Sequence, residues 1–383
     1  MRDLQEFLTT VGQYVVEYWR NFVMFGIGGV LIYLAVKKEY EPTLLLPIGF
    51  AAILTNIPGS SAVGEHGFLT VLYNAGIENE LFPILIFIAV GAMIDFAPLL
   101  SRPFMLFFGA AAQFGIFATL MAALYLGKLS KYASFIPAFT LKQAASIGII
   151  GAADGPTSIY VARLFAPELL GPITVAAYSY MSLVPLIQPP IIKMLTTKEE
   201  RRIHMEFQEV KVSKTVRILF PIVVTLVAGI VAPISVGLIG SLMLGNLIRE
   251  AGVVERLSKS AQNELANVTT LFLGVAIGST MVADRFLQPS TLFIIAMGLV
   301  AFIFDTAGGV LFAKLINLFL KRKVNPMIGA AGISAFPMSA RVIHKLGIEE
   351  DPTNYLLMHA IGANVAGQVG SIIAGAMILA LIH

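Results

Sequence analysis

The chain contains no cysteine. Disulfides, thiol nucleophiles and cysteine-ligated zinc or iron–sulfur centres are therefore excluded. Charge is scarce: Asp, Glu, Lys and Arg make up 13% of the 383 residues, against roughly 25% in a soluble domain. The two signs nearly cancel, leaving a net charge of +3, which gives no electrostatic footprint for nucleic acid. No Gly-rich loop ends in Gly-Lys-Ser or Gly-Lys-Thr, so ATP is not held by a P-loop. No His-x-x-x-His pair suggests zinc. The alternating ten-residue pattern of barrel strands is missing. The first apolar run follows a charged, amphipathic start, so no cleavable signal is expected.

What is present is apolar sequence: 57% of residues are hydrophobic and the mean hydropathy is +0.83. A hydrocarbon core of about 30 Å takes about 20 such residues per helix. Uncharged runs of that order lie at Phe104–Gly127, Leu169–Ile192, Phe286–Phe304 and Ile361–Ile382, with shorter ones at Phe22–Val36 and Gln143–Ala153. The expected fold is an all-α polytopic membrane protein. Leu4–Trp19 has apolar residues at helical spacing and suits an interfacial helix. Ile218–Ile248 is too long for one span and holds Pro233, so it reads as a helix plus a re-entrant piece. Pro42–Gly64, broken by Pro47 and Pro58, reads as a discontinuous helix. Phe82–Ile94 suits a half-helix. Lys37-Lys38 and the polar segment 193–217, with seven Lys or Arg, point to the cytoplasmic side.

After that segment the pattern restarts. Asn79-Glu80-Leu81 ahead of Gly91-Ala92-Met93 resembles Asn263-Glu264-Leu265 ahead of Gly278-Ser279-Thr280-Met281. Gly151-Ala152-Ala153, with Ala162-Arg163-Leu164 behind it, matches Gly329-Ala330-Ala331 with Ala340-Arg341-Val342 at an offset of 178. About five membrane elements per unit, an odd number, would invert one copy relative to the other. The expected division is an N-terminal helix and first span (1–38), a first repeat (39–192), a cytoplasmic linker (193–217) and a second repeat (218–383). Such inverted repeats, with discontinuous helices and re-entrant segments, put a site where their interrupted stretches meet. Asp154 would then face the 325–341 segment.

Asp154 is the leading candidate for chemistry. Small residues lead into it, Gly155-Pro156 breaks the backbone after it, and its neighbours are uncharged. A broken helix frees carbonyls and the acid adds charge, which together suit a cation. A helix N-cap is the plainer role, and the two are compatible. Asn325, Gly329 and Ser334 offer oxygen donors and close backbone for a hard cation such as sodium; packing through small residues is the alternative. Asp305, a second acid in an apolar segment, is either another ion site or a residue between the repeats. Tyr180 either relays a proton or packs. Arg341 either snorkels from a helix end or holds a carboxylate bidentately. Lys142 is a candidate partner for an acid, and His359 reads as structural. On these residues alone a sodium-coupled secondary transporter, exchanging Na+ for H+ or carrying an anion, fits as well as any enzyme subunit.

Four stretches carry a resemblance: 151–157 (Gly-Ala-Ala-Asp-Gly-Pro-Thr), 176–181 (Ala-Ala-Tyr-Ser-Tyr-Met), 185–190 (Pro-Leu-Ile-Gln-Pro-Pro), and Asn325-Pro326 through Ser339-Ala340-Arg341. With them the chain resembles, over nearly its whole length, the β subunits of the sodium-pumping biotin-dependent decarboxylases, a family acting on oxaloacetate, methylmalonyl-CoA, glutaconyl-CoA or malonate. The resemblance implies a subunit that decarboxylates carboxybiotin, consumes an external proton and exports Na+. No Ala-Met-Lys-Met-type biotinyl lysine occurs in this chain, so the biotin would sit on a partner. The implied roles are sodium binding by Asp154, Asn325, Gly329 and Ser334, with Tyr180 and Arg341 as essential partners, Arg341 as a carboxybiotin clamp. The implied partners are a biotin carrier subunit, a carboxyltransferase α subunit, a small single-span γ or δ subunit and two further copies of this chain in a homotrimer. The implied location is the inner (cytoplasmic) membrane, in contact with lipid.

Overall fold

The computed structural model describes residues 16–131, 135–205, 212–231 and 233–382. Most of the expected interfacial helix at Leu4–Trp19 lies outside the described residues. Every regular element among the described residues is helical, because isolated backbone in a hydrocarbon core has to satisfy its own hydrogen bonds. The chain is a multi-pass membrane protein. Six helices are long and apolar enough to cross: Trp19–Lys38, Pro103–Leu129, Pro167–Leu195, Pro233–Ala251, Pro289–Ile316 and Leu357–Leu381. A bent pair, Phe68–Glu78 and Leu81–Met93, turns by 62° and supplies the expected half-helix.

We label α1 Trp19–Lys38, α2 Pro42–Thr55, α3 Leu81–Met93, α4 Leu106–Ala112, α5 Phe114–Leu129, α6 Leu141–Gly148, α7 Gly155–Phe165 and α8 Leu170–Leu195. After the linker come α9 Lys214–Val231, α10 Val236–Ala251, α11 Ala266–Gly278, α12 Pro289–Ile316, α13 Met338–Glu350 and α14 Leu357–Leu381. The long run at 218–248 is two helices, α9 and α10, joined through a short turn at Pro233–Ser235. The expected span at 286–304 continues to Ile316, carrying Asp305 inside α12.

The elements before the linker cross those after it in matched pairs. α10 packs on α3 and α11 packs on α2. At the first crossing Gly91 and Gly245 sit against the backbone of Leu242 and Ile88, leaving no room for a Cβ on either. Gly274 and Gly278 do the same against Pro47 and Ile48 at the second. Small residues allow such contact between helices that gain nothing from shedding lipid. Both crossings are pinned by an asparagine. Asn56 Nδ2 donates to Met281 O (2.7 Å) at the end of α11, and Asn246 Nδ2 donates to Ile94 O (3.1 Å) at the end of α3. Each of these carbonyls lies just past a helix end and needs a donor. A π turn precedes each inner helix, at Asn74–Glu78 and Ala261–Leu265.

The two broken stretches correspond in packing at a different register from the sequence match. Gly148 rests on Ile116 and Leu120 of α5, and Gly329 rests on Gly309 and Val310 of α12. Ser158 Oγ donates to Ile149 O (3.3 Å) and Ser339 Oγ to Ala330 O (3.1 Å), each nine residues back. Both pairs, Gly148 with Gly329 and Ser158 with Ser339, are 181 residues apart. The difference of three from the sequence offset is close to one helical turn of 3.6 residues, so small residues recur on the same face and the sequence cannot tell the two registers apart. At 181, Asp154 falls opposite Ala335, and the carboxylate has no counterpart.

The linker is less solvated than its charge suggests. Arg201 pairs with Glu350 (2.7 Å), Lys314 with Glu200 (3.2 Å), and Asn325 Nδ2 donates to Arg201 O (2.7 Å) and Ile203 O (3.0 Å). These bonds fasten residues 196–205 to α12, α13 and the turn that leads into the second broken stretch.

Candidate functional site

α6 begins with a capping box, Thr140 and Gln143 exchanging bonds, which fixes where the helix enters. It ends in a tight turn at Ile149–Ala152, and Ala153 takes a left-handed conformation (φ 52°). Pro156 cannot extend a helix backwards but suits a first turn. α7 therefore starts fresh at Gly155, with Asp154 as its N-cap. The break is a consequence of these local preferences, and it leaves the Asp154 carboxylate at the positive end of α7.

Asp154 is 4% exposed. Its Oδ1 accepts from Thr157 N (3.4 Å); its Oδ2 accepts from Thr157 Oγ1 (2.7 Å) and from Ser371 Oγ (2.9 Å). Ser371 belongs to α14, in the other part of the chain, and lies 3.1 Å from Ser334 Oγ. It also approaches Gln368 O at 2.9 Å. A hydroxyl has one proton to give, so the three acceptors around Ser371 compete, and Ser334 can donate back to it. Ser334 N donates to Ala152 O (3.3 Å), joining the two broken stretches directly. Asn364 Nδ2 holds Ile333 O at 2.5 Å, and Gln368 Nε2 bonds Ser334 O. The interrupted segment at 331–337 is thus fixed by amides of α14.

A cavity of about 330 Å³ opens beside this junction. Its polar lining includes Asp154, Tyr178, Ser334, Gln368, Glu41, Thr43 and Thr270, within a largely apolar wall that holds Phe87 and Met181. The donors here are all oxygen, of carboxylate, hydroxyl and amide type, the set a hard cation takes. Among the described residues no cluster of three His, Asp or Glu could hold a metal. One or two charges with neutral oxygens suit a monovalent ion.

Of the residues singled out in the sequence, Asp154 and Ser334 meet at this cavity. The others do not line it. Asn325 spends its amide on the linker, as above, and its Oδ1 accepts from Met327 N (3.1 Å). Gly329 lies backbone to backbone with Gly309. Tyr180 donates to Ile295 O (2.6 Å) and packs on Phe302. Arg341 is exposed at the start of α13. Lys142 sits over the Phe165 ring, and buried His359 meets Arg102 at 2.9 Å. Asp305 is fully buried, and among the described residues neither carboxylate oxygen has a hydrogen-bond partner. Its Oδ1 faces the backbone of Gly115 and Ile116 at the start of α5, short of hydrogen-bond geometry, and its Oδ2 faces Gly151 beside the first break.

Sequence reasoning missed Gln368 and Glu41 as cavity groups, and Thr157 and Ser371 as the hydroxyls that bond Asp154, and chose Tyr180 over Tyr178. Residues two apart on a helix point about 200° apart, so one tyrosine at most could face the cavity. Tyr178, stacked against Gly155, does.

The family model described as the Na+-transporting oxaloacetate decarboxylase beta subunit matches residues 20–382. The chain is 51% identical to the methylmalonyl-CoA decarboxylase subunit beta of Veillonella parvula, over 94% of this chain and 93% of that one. It is 50% identical to the glutaconyl-CoA decarboxylase subunit beta of Acidaminococcus fermentans, over 98% and 97%. It is 47% identical to oxaloacetate decarboxylase beta chain 2 of Salmonella typhi, over 93% and 94%.

Proposed function

This chain belongs to the β-subunit family of the Na+-transporting decarboxylases, and we propose that it takes up its sodium ion in the cavity beside Asp154. It is a membrane subunit of a sodium-pumping decarboxylase, and as a β subunit it works with partner chains. One observation carries the proposal: Asp154 from the first broken stretch bonds Ser371, which meets Ser334, and Asp154, Ser334 and Gln368 line one cavity. Sodium is the cargo here. Asp154 supplies the charge, and the hydroxyls of Ser334, Ser371 and Thr157 turn their lone pairs to the ion. Asp305, buried with two unpartnered oxygens, offers a second ion position. Asn325 and Gly329 support the site by fixing the second break against the linker and α12.

The substrate in this account is carboxybiotin, presented by a biotin carrier subunit that a carboxyltransferase α subunit has charged. Loss of CO2 breaks the nitrogen–carboxyl bond, leaves the electron pair on the ureido nitrogen, and requires one proton. A tyrosine hydroxyl that yields its proton as a cation arrives nearby links the two events. Tyr180 is assigned that step from outside the cavity, where its hydroxyl donates to Ile295 O (2.6 Å), its proton being replaced from the external side; Tyr178, which lines the cavity, is the alternative donor. Arg341, free at the surface of α13, is assigned the carboxylate of the incoming group. A single-span γ or δ subunit, a homotrimer of this chain and an inner-membrane location complete the proposal. The duplicated halves, 39–192 and 218–383, are read as inverted copies. The matched crossings of α10 on α3 and α11 on α2 support that reading. A free-standing transporter is not favoured, since the relatives are decarboxylase subunits.

The test is CO2 release against sodium concentration, with the charged biotin carrier present. Turnover should need sodium in the wild type and be lost in Asp154→Asn. Sodium-independent turnover would refute the proposal.

A further inference from the structure

Glu41 precedes α2 and takes a left-handed conformation (φ 37°). An N-cap carboxylate normally accepts from the first turn. This one does not: the bonds from Leu44 N and Leu45 N go to its backbone oxygen. Among the described residues its side chain has no ion pair either, although Lys37 and Lys38 are close in sequence. It lines the cavity that Asp154 lines. Burial lifts its pKa above the ordinary carboxylate value. An unpaired carboxylate in partial burial is costly unless a proton or a cation joins it.

The amide of Gln368 is placed to share that cation. The side chain is 6% exposed and lines the same cavity. Its Nε2 is spent on Ser334 O, and among the described residues its Oε1 accepts no hydrogen bond. Thr43 and Thr270 add hydroxyls to the wall. The groups facing Glu41 across the cavity are Asp154 at the start of α7 and Tyr178 on α8.

We propose that Glu41 is a second cation-capturing carboxylate of the Asp154 cavity, lending charge to the ion on its way to Asp154. This rests on the cavity being the sodium site. A second carboxylate on the wall of the same cavity makes it more favourable for an entering monovalent cation. Glu41 thereby sharpens sodium uptake without touching the decarboxylated group.

The experiment uses the assembled decarboxylase complex in lipid vesicles. CO2 release is titrated with sodium chloride at constant ionic strength for the wild type, Glu41→Gln, Glu41→Asp and Asp154→Asn. In Glu41→Gln the half-saturating sodium concentration should rise by at least about fivefold, with a smaller change in maximal turnover, because a charge on the cavity wall is lost. Glu41→Asp should recover part of the shift, and it carries the test alone if the Gln variant does not assemble. A shift below fivefold in Glu41→Gln, or a fall in maximal turnover alone, overturns the proposal. If neither Glu41 variant assembles, Glu41 is a folding residue and the proposal falls. Wild-type sodium dependence in Asp154→Asn would instead sink the assignment of the cavity, whatever Glu41 does.

Discussion

Ser371 is the hydroxyl that ties the acid of one half to the serine of the other, and Ser371→Ala is the sharpest perturbation of that tie. The change deletes a donor at 2.9 Å from Asp154 Oδ2 and a contact at 3.1 Å to Ser334 Oγ. Hydrogen bonds to a charged group are worth about 1.5–3 kcal/mol. If the same oxygen also holds the ion, that loss falls on sodium affinity, and 1.4 kcal/mol is about tenfold. Half-saturating sodium should therefore rise by roughly 10–150-fold. The fold should suffer less, by about 1 kcal/mol, because Thr157 still bonds Asp154. The assay is CO2 release against sodium, paired with thermal unfolding of the same preparation in detergent. A half-saturation within threefold of the wild type would refute the idea that Ser371 belongs to the ion site. A large loss of thermal stability with unchanged sodium affinity would mean that Ser371 only holds α14 in place.

Tyr178→Phe and Tyr180→Phe should separate two functions. The first removes a hydroxyl from the cavity and should raise half-saturating sodium. The second should abolish decarboxylation coupled to proton uptake while sodium still binds, and full activity in that variant would end the relay assignment. Asn56→Ala should destabilise more than Asn246→Ala, by about 1–2 kcal/mol in thermal melts: Asn56 also accepts from Ala283 N (2.8 Å), whereas Asn246 Oδ1 has no partner among the described residues. Equal losses would contradict the pairing described. Because burial raises the Glu41 pKa, the group takes a proton as pH falls through that raised value, and half-saturating sodium should climb there. The climb should flatten in Glu41→Gln, leaving only what Asp154 contributes; an unchanged pH profile in that variant would count against it.

Much of the architecture was legible because lipid imposes it. Uncharged runs of the right length became the α4–α5 span, α8, α12 and α14, and Gly155-Pro156 marked the break that frees Asp154. The failures have physical causes. The span expected to stop at Phe304 continues because Asp305 is housed between Gly115 and Gly151, so an acid did not mark a helix end. The offset of 178 and the packing register of 181 differ by about one turn, which small residues cannot distinguish. The place of Asn325, whose amide nitrogen bonds the linker carbonyls, was not legible from its residue type. Ser371 and Gln368 sit in an apolar helix among other small and polar residues, with nothing local to single them out. Glu41 follows two lysines and another glutamate, and so reads as a surface connector. In each case the missing information was which distant element comes to face the residue.

Direct sodium binding to the purified subunit, followed by equilibrium uptake of labelled sodium in the wild type and in Asp154→Asn, tests the account where it is most exposed. The wild type should hold the ion saturably and the variant should not at any concentration that fills the wild type. Saturable binding of equal strength in Asp154→Asn would mean that the ion is held elsewhere.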